Sequence, residues 1–184
     1  MKPHAIKSAA PADAPPGGAT VTVLRPAGVT TALLPLPVER PAFNWVTPLV
    51  ADTGAAANAR LRTRPQLTIC RWPGSIDAAA RVAARLVDNA ARHGKPFSDG
   101  TVVLRLLAHP DTDELLVEVD DALPDFPGFA QAAKPSREPR PVPPGLWWVS
   151  HYGGTLAWDL LKDDGVACGK TVQAILPARW EDGV

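Results

Sequence analysis

Two polar side chains, Arg85 and Asn89, stand four residues apart near the end of a helical run, and that spacing puts them on one face. The amide oxygen of Asn89 is the kind of ligand that a hard cation takes. The guanidinium of Arg85 stays protonated at any relevant pH and cannot act as a general base. It can hold phosphate oxygens in a bidentate contact. The pair therefore suits an anionic ligand better than acid–base catalysis, and a solvated polar helix face is the plain alternative. Asp88 points about a quarter-turn from Asn89 and is a poor substitute base. Further on, the run Val117-Glu118-Val119-Asp120-Asp121 ends in two carboxylates. Strand alternation sends only one of them toward a pocket.

These residues must be positioned by a few elements. Ser75 is a suitable N-cap for a helix over residues 76–93, with Asp77 in its first turn and Gly94 as a C′ residue. Ile76, Ala79, Ala80, Ala83, Leu86, Val87 and Ala90 form an apolar stripe at helical spacing, so this helix packs on a sheet. Residues 101–107 and 114–119 read as an antiparallel hairpin, and 146–152 as a short helix. Residues 155–161 and 170–176 read as two strands around Lys162-Asp163-Asp164-Gly165. The order predicts an α/β two-layer sandwich, a mixed sheet with helices on one face.

Before residue 65 the pattern is weaker. With 21 prolines and 14 glycines in 184 residues, the chain divides into a disordered leader (1–18), a Pro-rich extension with short strands (19–64) and a domain (65–184). Residues 20–24 and 29–34 are β-rich, 55–62 suggest a short helix, and 66–72 alternate like a strand. Leu33, Leu34, Leu36, Phe43 and Trp45 need a surface to cover, either the chain's own sheet or a second copy in a homodimer. Formal net charge is zero, which gives no global field for nucleic acid or anionic membrane. No apolar run approaches a membrane span, and the N-terminus lacks the apolar core of a secretory signal. Cys70 and Cys168 have no metal-like spacing and read as buried thiols in a reducing compartment. Richness in Ala, Pro and Arg fits a high-GC genome such as an actinobacterium's, and the expected location is cytoplasmic.

The helix end Asn89-Ala90-Ala91-Arg92-His93-Gly94, the acidic strand end, Gly145-Leu146 and Gly169-Lys170-Thr171-Val172 follow one another in an order that resembles the GHKL (Bergerat-fold, histidine-kinase-like) ATP-binding domain. The likeness spans residues 66–177, and its wording is similar to the actinobacterial anti-sigma-factor serine kinases. It implies ATP or ADP as ligand, with Mg²⁺ held by Asn89. It further implies Asp121 (or its neighbour Asp120) accepting from the adenine amino group, Gly145 at the phosphate turn and Thr171 near the adenine edge. The lid would be residues 131–142, carrying Lys134, Arg137 and Arg140. Implied partners are a sigma factor or a STAS-type antagonist. The family's catalytic Glu falls at Arg85, its glycines at Ala122 and Leu123, and an amide donor at Pro144. The expectation is a pseudokinase, an interaction module with weak or residual nucleotide binding and no catalytic residue. The alternative is an active ATP-dependent serine kinase.

Overall fold

The computed structural model describes residues 41–133 and 146–179. The described elements run β1 (Phe43–Val50), α1 (Ala55–Ile69), α2 (Ile76–His93), β2 (Thr101–Ala108), β3 (Leu115–Asp121), α3 (Phe129–Ala132), α4 (Trp147–His151), β4 (Thr155–Asp163) and β5 (Val166–Leu176). The strands form one sheet in the order β1-β2-β3-β5-β4. All four pairings are antiparallel, where the sequence suggests a mixed sheet. Local hairpins explain two of them, β2–β3 and β4–β5. β1 and β5 then reach their neighbours by connections that return the chain in the opposite direction.

The long helix forms as its sequence dictates. The Ser75 hydroxyl accepts from the Ala78 N–H, Asp77 lies in the first turn, and Arg92 and His93 lie in the last, each matched to the helix dipole. Its small apolar stripe is buried from Ala78 to Ala90. On the sheet it meets Leu104 and Leu106 of β2, Val117 and Val119 of β3, and Val172 and Ala174 of β5, all in one core. Burying each such large side chain contributes about 1.5–3 kcal/mol relative to leaving it in water.

α1 departs from the sequence reading. Residues 66–72 do not form a strand; the helix begun at Ala55 continues through Pro65 to Ile69. Its buried stripe is Ala55, Ala59, Thr63 and Leu67, one residue per turn, mostly small. Such a stripe gives little amphipathic contrast, while the alternation of 66–72 is locally strand-like. Packing against α2 decides the outcome. The division expected between residues 64 and 65 therefore falls inside a helix. β1 is hydrogen-bonded along its whole length to β2, and Leu49 joins the common core. Pro48 sits where an edge strand tolerates a missing N–H. The leader 1–18 and the β-rich runs 20–24 and 29–34 lie outside the described residues.

Two smaller expectations change as well. Gly94 is not left-handed: its φ is −86°, and the need for glycine there arises from a close approach at the site. Cys70 is partly buried but Cys168 is exposed, so only one thiol is sheltered. No helix among the described residues is long and apolar enough to cross a membrane.

Candidate functional site

Asp120 and Asp121 are consecutive, so β3 sends them to opposite faces of the sheet. Asp121 faces the helices and is fully buried. Its partner is Lys170, directly across the β3–β5 ladder, whose Nζ donates to Oδ1 at 2.8 Å. Both side chains are almost wholly out of solvent, at 3% and 0% exposure. The turn after β3 folds back on the pair. The Leu123 N–H donates to the same Oδ1 at 2.9 Å, and the Leu123 carbonyl accepts from Lys170 at 3.1 Å.

Two glycines let the backbone close around this carboxylate. A Cβ on Gly94 would lie 2.6 Å from Asp121 Oδ2 and 2.5 Å from the Ala90 carbonyl. One on Gly169 would lie 2.1 Å from the Asp121 carbonyl oxygen. The Asp121 Oδ2 atom is buried without a hydrogen-bond partner. The α2 end is further tied to β3 by the Ala122 N–H donating to the Lys95 carbonyl at 2.7 Å. Beside Lys170, the Phe126 ring lies 5.9 Å from Nζ and packs edge-on against Phe129 and Trp158, with centroids 5.2 and 6.2 Å away.

On the other face, Asp120 belongs to a ladder that crosses three strands. Arg105 of β2 donates to Glu118 at 3.0 Å and to Asp120 at 2.5 Å. The Thr171 hydroxyl donates to Asp120 at 2.7 Å, and the Gln173 amide to Glu118 at 2.6 Å. Burial pushes the Asp120 carboxyl above its ordinary pKa, while Arg105 and Thr171 pull it back. Burial alone would lower the Arg105 pKa, but attraction to Asp120 and Glu118 raises it.

Of the residues singled out by sequence, Asn89 is half-buried and Arg85 exposed on α2. Asp88 is engaged by Arg92 one turn on, at 2.7 Å. Asp121 is the helix-facing carboxylate, and α2 comes close to it through Gly94. Thr171 is not beside it: the hydroxyl lies on the opposite face with Asp120. Gly145 and the basic lid residues Lys134, Arg137 and Arg140 lie outside the described residues. Lys170 is the residue the sequence reading missed as a site group. Its signal was present, a lone lysine opening an apolar strand.

The donor set does not fit adenine as it stands. The acceptor atom Oδ1 of Asp121 already takes two donors from within the chain, and Oδ2 abuts Gly94. For a cation, Asn89 supplies one neutral oxygen, and no cluster of three His, Cys, Asp or Glu side chains suited to a metal occurs among the described residues. A cavity of about 330 Å³ opens at the opposite end of β3, beside Glu114 and Arg179, and includes none of these groups.

No family model and no curated protein sequence matches the chain. Among solved structures, it is similar to the crystal structure of the RsbU and RsbW domains of Rv1364c from Mycobacterium tuberculosis. The identity is 19% and the TM-score 0.43, covering 74% of this chain and 33% of that one. It is also similar to the mycobacterial sensor histidine kinase MprB, at 19% identity and a TM-score of 0.42, covering 73% of this chain and 99% of that one. The chain thus spans a third of the first structure and nearly all of the second. At these values neither likeness assigns an activity.

Proposed function

We propose that the protein is a regulatory interaction module on a GHKL-like scaffold whose nucleotide site has been given over to an internal ion pair. The observation that carries this reading is the buried Lys170–Asp121 contact, closed over by Leu123, Gly94 and Gly169. In the resembled domains this strand-end carboxylate recognises adenine; here a lysine of the neighbouring strand supplies the donor. Arg85 at the position of the expected base supports the same conclusion, because a guanidinium takes no proton. With catalysis lost, the retained use of such a scaffold is to bind a protein, for which a sigma factor or a STAS-type antagonist is the natural candidate.

Titrating the purified chain with a fluorescent ATP analogue, with and without Mg²⁺, tests the reading. Weak binding with little Mg²⁺ dependence, and no transfer of phosphate to a partner above background, is the expected result. A tight, strictly Mg²⁺-dependent complex would overturn it. So would partner phosphorylation that disappears in Asn89→Ala; the chain would then be an active serine kinase.

A further inference from the structure

The sheet has one face under helices and one face under no described helix, yet its middle is buried on both. β3 alternates between the two, and six of its seven residues are buried, with Glu118 the exception. Leu116, Ile175 and Ala157 point away from the helices and are 2%, 5% and 7% exposed. None of them belongs to the core that helices and sheet share. By contrast, Val46 and Val50 of β1 on the same face are 49% and 60% exposed. The cover required by β3 and β5 therefore does not extend to the edge.

The register shows where this apolar patch lies. Asn44, Leu107, Leu116 and Ile175 form one row across four strands, at the end of the sheet where the chain enters β1. The chain before Ala42 therefore starts beside the row that needs covering. From Asn44 to Ile175 is three strand spacings, about 14 Å. Six residues of chain, 37–42, can reach at most about 20 Å. The stretch that this tether delivers is 29–36, with Leu33, Leu34 and Leu36 among its residues.

We propose that residues 29–36 of the same chain lie across the face of the sheet opposite the helices, covering Leu116, Ile175 and Ala157. The tether favours the chain's own segment over a free partner: its effective concentration at the row is set by six residues and needs no second molecule. The face would then be an internal interface over β3 and β5, with Val46 and Val50 of β1 left open to others.

A benzoylphenylalanine photo-crosslinker in place of Leu34, in the full-length chain, tests this directly. Irradiation and peptide mapping should give links within one chain to peptides of β3 and β5, in protein that light scattering finds monomeric. Links to α1 or α2, links between two chains, or no link at all would overturn the proposal. A second readout is the full-length Leu33→Asp/Leu34→Asp variant. It should keep its far-UV circular dichroism, bind an apolar-surface dye several-fold more strongly and melt several degrees lower. Unchanged dye binding and melting would overturn it too.

Discussion

Asp120 and Asp121 have the same side chain and adjacent positions, yet live by different rules. Asp121 relies on one cation, in a space so tight that two glycines are needed to make room. Asp120 is one member of a five-residue ladder, in which Arg105 alone serves two carboxylates. A ladder shares its charges and loses part of its support when one member goes. An isolated buried pair has only the Leu123 backbone to fall back on, and no second charge. The helix-side site is therefore the brittle one and the outer face the tolerant one.

The sharpest way to break that contrast is Lys170→Ala. It leaves the Asp121 carboxylate buried and unpaired, and urea unfolding should show a loss of about 3–5 kcal/mol. Restoring the site with apolar groups, as in Lys170→Met/Asp121→Leu, should recover most of that stability. A loss below about 1 kcal/mol in the single variant would mean that the pair is not isolated.

Arg105→Ala comes next. It removes charged hydrogen bonds from Glu118 and Asp120 but leaves Gln173 and Thr171 as donors. The expected loss is about 1.5–3 kcal/mol by the same unfolding measurement. A loss equal to that of Lys170→Ala would erase the distinction between the two faces.

A smaller effect follows from pH. The folded Asp120 pKa is raised, so between the unfolded and folded values the folded state binds more protons than the unfolded one. This group's contribution to stability therefore improves as pH falls through the folded value. Asp120→Asn should remove that contribution, which a comparison of stability-versus-pH curves in the acidic range will reveal; identical curve shapes would contradict it. Smallest of all is Arg85→Glu. The side chain is exposed, and a surface change of this kind shifts stability by at most about 0.5 kcal/mol. It should also create no kinase activity, since the Lys170–Asp121 pair remains. Measurable phosphotransfer in that variant would show that Arg85 alone blocked the chemistry.

The helix over 76–93 was legible because cap, stripe and dipole residues all agree, from Ser75 to His93. The two hairpins were legible from turn residues between apolar runs. α1 was not, because Ala55, Ala59 and Thr63 carry almost no hydrophobic contrast, and Pro65 mimics a boundary. At the site, Asp121 could be picked out as a polar residue at an element end. Lys170 and Thr171 could not be sorted, because only the register with β3 tells which of two neighbours faces the carboxylate. A one-residue choice on a strand is a choice of face, and sequence spacing leaves it open when both residues are polar.

The pairing of β1 with β2 brings together residues separated by both long helices, whereas β2–β3 and β4–β5 join neighbours in sequence. Closing the long connection costs more entropy than closing a hairpin and slows the search. Among the described strands, β1 should therefore be one of the last to dock. Leu49→Ala should accelerate unfolding and barely change refolding, while Val117→Ala in the central hairpin should slow refolding. Until that docking step, the outer edge of β2 is unpaired, so aggregation of this chain should be decided by how quickly β1 arrives.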